Sequence, residues 1–409
     1  MGEHISSVVD SRYSKIKCST MILLSGLSLL SVFPLDVLLP AYPALASEFD
    51  KSVAEIASSI SFFILVFAVS QLIVGPLSDR FGRKIVLNTG LAVVLIAVLA
   101  CALAKSFDEF FMYRLLQAAG CSTFVLSQAL IQDLLREEDR QRARIFLVTT
   151  SGVFITSAPL LGAYIQDMFG WVGSFYLSAI ITVYLMFQVS LTLKNSRMSS
   201  GFDLKSVFVS YGKIIKHKYF VMCWCMSGMA FSCHFSFVII SPVIFFEYLG
   251  LSSYQYSCVL LVYGVAYILG GVVASWLRCR INFNSQIVVG FILIMVAGLL
   301  LFGFLFFLDF TVVSLLAPMI ICTAGTTICR PAAASKAMEY FNESVGAASS
   351  AGATIVFLIA AAVSATISLS NSNVLLFLAG GFVVLSLLGL MFSCLLMYDK
   401  SGSKKPIKA

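Results

Sequence analysis

Apolar residues run in long unbroken stretches along this chain, separated by short polar breaks. Each stretch approaches the roughly 20 residues that a helix needs to cross a bilayer core about 30 Å thick. No water is present in such a core to satisfy an unpaired backbone group, so a spanning segment closes its hydrogen bonds within a helix or a barrel. A barrel would show segments of about 10 residues with alternating polarity, and these stretches do not alternate. The pattern predicts an all-α integral membrane fold with twelve spans, over 21–46, 54–77, 85–104, 110–134, 145–168, 171–193, 220–246, 254–277, 286–307, 312–338, 345–369 and 374–398. The longest polar stretch, 194–219, divides them into two sets of six. The expected organisation is a six-helix half over 1–193, a linker over 194–219, and a second six-helix half with a short tail over 220–409.

Composition agrees: 59% of residues are hydrophobic and 11% charged, against roughly 25% charged in soluble domains. Nothing soluble is large enough to form a separate domain. The first twenty residues are polar and the run that follows is too long for a signal h-region, so no cleavable signal is expected. Charge then sets an orientation. Of the 27 lysines and arginines, 23 fall on one side in the polar segments or, for Lys336, at the end of a span; Lys51 and Lys105 fall on the other, and Arg114 and Arg330 lie within spans. The positive-inside bias makes the crowded side cytoplasmic and places both termini there, in the bacterial inner membrane. The net charge of +7 reflects this asymmetry, and nucleic acid is not an expected partner.

Catalytic signals are missing. There is no phosphate loop, no Ser/His/Asp arrangement and no zinc spacing, so the chain does not read as an enzyme and no cofactor or metal is expected. The eleven cysteines are scattered. Cys223 and Cys225, one residue apart, read as small packing residues rather than ligands.

One loop stands out. Gly75-Pro-Leu-Ser-Asp79-Arg80-Phe-Gly82-Arg83-Lys84 joins the second and third spans with two glycines suited to a tight turn and a dense cluster of charge. A stretch 196 residues later, Gly271 to Arg280, closes the second span of the other half in the same way. Duplicated halves of this kind are a common build of secondary transporters. The decapeptide resembles the signature loop of the major facilitator superfamily. Arg114 in Arg-x-x-Gln-Ala-x-Gly120 resembles that family's fourth-helix motif. Gly152 with Ala158-Pro159-Leu-Leu-Gly162 is similar to its antiporter motif, with Ala-Pro in place of Gly-Pro. Leu35-Asp36-Val-Leu-Leu-Pro40-Ala-Tyr42-Pro43 and Val345-Gly-Ala-Ala-Ser349 resemble the Bcr/CflA drug-resistance branch. The resemblance implies the major facilitator fold and alternating access, working as a monomer without cofactor. It also implies a conformational latch in which Asp79 leans toward the helix start near Val345, favoured there by the helix dipole. Asp133, Glu137 and Arg140 are expected partners for the loop arginines.

Asp36 is the single acid well away from the end of any span. An ionised carboxylate there is costly. Asp36 and Arg114 fall at similar depths, so Asp36 is the expected carrier of a coupling proton with Arg114 tuning it; a fixed ion pair that only holds helix packing fits the same pattern. In the second half, Arg330-Pro331 suits either a snorkelling arginine or an anion-recognising group, since a guanidinium matches carboxylate. His234, Tyr263, Tyr267, Gln128 and Gln132 are expected to line the substrate cavity, although aromatic stripes at helical spacing also serve packing. The expected function is a proton-coupled antiporter exporting a small amphiphile, a drug-like molecule or a siderophore. A proton symporter importing a carboxylate or iron-chelate is the alternative, and a non-transporting receptor a weaker one.

Overall fold

The computed structural model describes residues 19–31, 33–135, 137–193, 211–278, 280–307, 311–340, 345–368 and 373–402, and among them every regular element is a helix. The chain begins with α1 (Ser19–Ser31) and a second helical stretch, Phe33–Glu48, bent 42° from it. That stretch contains a 3-10 turn, Leu39–Ala41, and α2 (Tyr42–Glu48). Next come α3 (Val53–Phe81), α4 (Arg83–Ala102), α5 (Phe107–Cys121), a 3-10 turn at Ser122–Val125, α6 (Leu126–Leu134), α7 (Glu137–Phe169) and α8 (Val172–Thr192). The remainder is α9 (Lys218–Pro242), a π-helical turn at Val243–Tyr248, α10 (Ser253–Arg278), α11 (Phe283–Phe307), α12 (Val312–Met338), α13 (Val345–Ser368) and α14 (Val374–Gly402). Among the described residues nine helices are long and apolar enough to cross a membrane, or ten if the bent pair is one span. The twelve expected spans fall on helical segments, those over 21–46, 110–134 and 220–246 on segments interrupted by 3-10 or π-helical turns.

Contacts divide the chain into two compact units, Met1–Ala44 with Ser70–Leu204, and Leu45–Val69 with Lys205–Ala409. In the first unit α4 packs on α5 and α8, and α7 packs on α8 and on the turn at Leu39–Ala41. In the second, α9 is central, packing on α12, α13 and α14, while α11 pairs with α12 and α14. The burial pattern follows, because α9 is buried on most of its circumference while α10 keeps many apolar side chains exposed, as lipid-facing helices do.

Lipid tails are as apolar as the helices, so helix association in a bilayer rests on close packing and polar contacts rather than on hydrophobic gain. Both units use the same seam. In the first, a Cβ on Gly120 of α5 would lie 2.9 Å from the Gly90 carbonyl oxygen of α4. In the second, a Cβ on Gly290 of α11 would lie 2.6 Å from the Gly325 carbonyl oxygen of α12, and one on Gly325 2.5 Å from that of Gly290. Hydroxyls supply the polar part. Ser28 pairs with Ser151 at 2.6 Å in the first unit and Ser61 with Ser364 at 3.0 Å in the second. The latter belongs to a contact of the first half of α3 with α13, joined by Phe67 edge-on to Phe357 (5.3 Å) and by the Thr354 hydroxyl donating to the Ala68 carbonyl (3.4 Å). At the start of α3 the Val53 N–H donates to the Glu247 carboxylate at 3.2 Å, an acceptor suited to an open helix N-terminus.

Candidate functional site

The first span breaks beside Asp36. Pro34 and Pro40 have no backbone N–H to contribute to a helix, and the ladder tightens between them: Val37 N–H bonds to Phe33 O (3.0 Å), while Leu38 N–H bonds to Leu35 O (3.3 Å). The Pro34 carbonyl thereby loses its helical donor, and Arg114 of α5 replaces it, its Nη1 donating to Pro34 O at 3.3 Å and to Gln117 Oε1 at 2.6 Å. Arg114 is only 1% exposed and Asp36 7%. Oδ2 of Asp36 is buried with no hydrogen-bond partner among the described residues, and so is the hydroxyl of Tyr42. Tyr42 lies within electrostatic reach of both Asp36 and Arg114. Tyr42 thus has both charges within reach, and Gln117 holds the Arg114 side chain. Tyr42 and Gln117 were not among the sequence candidates, though Gln117 stands three residues after Arg114, one helical turn away, in the motif already noted.

The antiporter-motif residues support this break from α7. Gly152 and Pro159 are buried; the Gly152 carbonyl accepts from the Thr156 hydroxyl at 2.8 Å. A Cβ on Gly162 would collide with the Val37 carbonyl, so only a glycine lets α7 lie this close to the broken backbone. Phe33, Val37 and Ala158 form a small buried cluster around that contact.

The signature loop is built differently from the expected two-glycine turn. Gly75 and Pro76 lie inside α3, and Gly82 alone makes the turn, with φ +90° at the N-cap of α4. A side chain there would be strained. Arg83 is the hub: Nη1 meets Asp79 Oδ1 at 2.6 Å, Nε donates to Asp133 Oδ2 at 3.2 Å, and the guanidinium also contacts the Ser78 hydroxyl. Lys84 donates to the Ser190 carbonyl at 2.9 Å, and Arg80 stacks over Phe81 at 5.1 Å. The side chains of Glu137, Arg140, Gln128, Gln132 and Val345 lie outside the described residues, and with Val345 the expected seat for Asp79.

The second unit gathers His234, Tyr263, Tyr267 and Arg330 in one place. The Tyr263 hydroxyl and His234 Nδ1 share a hydrogen bond of 2.5 Å, and the rings lie nearly parallel at 5.3 Å. Tyr267, one turn further along α10, lies 5.1 Å from the imidazole on a tilted plane. Arg330 places its guanidinium over Phe231 at 4.4 Å, and Phe231 in turn stacks on Phe235 at 5.3 Å. An arginine held against a ring face is less hydrated than one snorkelling into water and keeps its donor fork for a planar anion.

Comparison with known proteins follows the same lines. The chain is 27% identical over 244 residues to "Multidrug resistance protein MdtL" of Shigella dysenteriae serotype 1, covering 58% of this chain, and equally to MdtL of Escherichia coli. It spans 61% of the length of these curated relatives. Among solved structures it is similar to a D-xylose-proton symporter (TM-score 0.72, 16% identity, 91% of this chain and 97% of the other). It is also similar to the xylose transporter XylE from E. coli in a partially occluded inward-open conformation (TM-score 0.70, 15% identity, 96% and 99%). At that identity the likeness concerns the fold. The family model described as "Major Facilitator Superfamily" matches residues 24–365, which is most of the sequence, and the chain belongs to that superfamily.

Proposed function

We propose that this membrane transporter is a proton-coupled antiporter that expels a small amphiphilic compound by alternating access, with Asp36 as the proton carrier. The observation that carries the reading is the Asp36 carboxylate, buried at the break of the first span with one oxygen unbonded among the described residues, two residues after the Pro34 carbonyl that the buried Arg114 guanidinium holds. A carboxylate so placed is costly when ionised, and a neighbouring cation lowers that cost. Its charge state therefore couples to its surroundings, which is what a proton-driven cycle needs. Tyr42 and Gln117 act as positioning residues, Gln117 by holding Arg114 and Tyr42 by facing both charges. The likeness to multidrug resistance proteins named MdtL supports export of drug-like compounds and the drug-resistance branch. The Asp79–Arg83–Asp133 network serves as the latch, and both termini are cytoplasmic in the bacterial inner membrane. The organisation is two six-helix halves, 1–193 and 220–409, with the linker 194–219 between them, functioning as a monomer.

Asp36→Asn protein in proteoliposomes tests this. Exchange of cargo should persist while a pH gradient no longer drives it; continued gradient-driven accumulation would remove Asp36 from the coupling.

A second reading rests on Arg330. A guanidinium on Phe231 beside the His234–Tyr263 pair suits a carboxylate better than the cations many drug exporters take, so the cargo carries a carboxylate, as siderophores and other polyacids do. With such a cargo, proton symport inward is the alternative. The sign of the pH change accompanying transport separates the two directions.

A further inference from the structure

The end of the polar linker meets the membrane as a short helical turn, residues 211–216, immediately before α9 begins at Lys218. Its two faces differ. Tyr211 and Ile214 are buried against the second unit, whereas Lys213, Ile215 and Lys216 are exposed, Ile215 by 56%. Among the described residues no hydrogen bond or ion pair engages the ammonium of Lys213 or Lys216, and Lys218 is exposed beside them, lying over the Tyr219 ring at 4.6 Å.

The turn adjoins a collar of rings. Tyr340, just past the end of α12, stacks on Tyr219 at 6.0 Å and lies 4.9 Å from the His217 imidazole. His217 is committed as the N-cap of α9, its Nδ1 accepting the Phe220 N–H at 3.2 Å. The ends of two spans thus meet through tyrosines, residues that settle at lipid headgroup depth. Glu339 precedes Tyr340 at the end of α12.

We infer that this collar binds the headgroup of an anionic phospholipid, with Lys213, Lys216 and Lys218 around the phosphate, Tyr219 and Tyr340 at the glycerol level, and Ile215 against the upper acyl chain. Charge complementarity selects the occupant: an exposed isoleucine between Lys213 and Lys216 suits a ligand that is negative at one end and apolar at the other. A free anion would gain nothing from Ile215, and a zwitterionic lipid would leave Lys213 and Lys216 uncompensated. Each lysine near an anionic leaflet strengthens attachment by roughly fivefold, corresponding to about 1 kcal/mol.

Purified full-length protein in nanodiscs of phosphatidylcholine, with and without a minor fraction of phosphatidylglycerol, tests the inference, with lipid retained per protein read by native mass spectrometry. The unaltered protein should retain phosphatidylglycerol, Lys213→Gln/Lys216→Gln/Lys218→Gln should retain it about tenfold less or worse, and the same three positions as arginine should keep it. Ile215→Ser, which leaves all the charges, should weaken retention by a smaller factor. Added sodium phosphate should not compete. Equal retention by the glutamine variant, equal retention of phosphatidylcholine, or competition by inorganic phosphate would each overturn the assignment.

Discussion

The Val37 carbonyl occupies the space that a side chain at Gly162 would need, so α7 and the broken first span meet backbone to backbone. Asp36 is the residue before that carbonyl. Gly162→Ala forces the two apart; overpacking of this kind costs about 1–3 kcal/mol. We expect a lower thermal midpoint in detergent together with impaired pH-driven transport, while Gly303→Ala, which meets nothing within 4 Å, should leave both unchanged.

Arg330 sets the charge preference of the aromatic cluster. Arg330→Ala should weaken binding of acidic compounds by about tenfold or more, the scale of a lost charged hydrogen bond, and leave cationic dyes unaffected. Arg330→Lys should recover part of the loss, since it keeps the charge without the planar fork. Equilibrium binding to protein in liposomes reads both.

The hydroxyls of Ser61 and Ser364 face each other at 3.0 Å in the second unit. Cysteines at both positions should cross-link under mild oxidant, fixing the first half of α3 to α13. If that contact opens during the cycle, transport stops on oxidation and returns with reductant; a cross-linked protein with full activity would show that it stays closed.

Arg83, Asp79 and Asp133 make a network at the surface, where single ion pairs contribute about 0–1 kcal/mol. Asp133→Asn should therefore barely alter thermal stability. A much larger fall in transport rate, measured on the same preparation, would mark the network as conformational.

His217 links pH to the start of α9. Partial burial holds its imidazole below the ordinary 6.5, a backbone hydrogen bond opposing. A depressed value means the neutral, capping form is favoured by folding. The stabilisation is complete above about 6.5 and is lost as pH falls through the lower folded value. Amide exchange at Phe220 should accelerate on acidification, and His217→Asn, which caps without titrating, should remove that dependence.

The long apolar helices could be read from hydropathy because lipid imposes one length and one polarity on every crossing segment. Asp36 and Arg114 stood out for the same reason: in so apolar a setting a single charge is conspicuous. Other features carry no such mark. Tyr42 is one aromatic among many, and its place opposite Asp36 depends on a tightening at Leu38 that proline content alone does not locate. Ser28 with Ser151 and Ser61 with Ser364 are pairs far apart in sequence, and serines inside spans more often bond their own helix. Gly75 was assigned to a turn from its place in a motif, yet its helix continues to Phe81 and leaves the reversal to Gly82. Gly162 looks like any motif glycine until the carbonyl it faces is known.

The seams at Gly90–Gly120 and Gly290–Gly325 divide labour within each unit. Where backbone lies on backbone there is no rotamer to change and no gap that a lipid tail can enter, so the paired helices travel as one body. Movement must be taken up elsewhere. Each unit has an interrupted span suited to it: the proline-bounded break after Asp36 in the first, and the π-helical turn that follows Pro242 in the second.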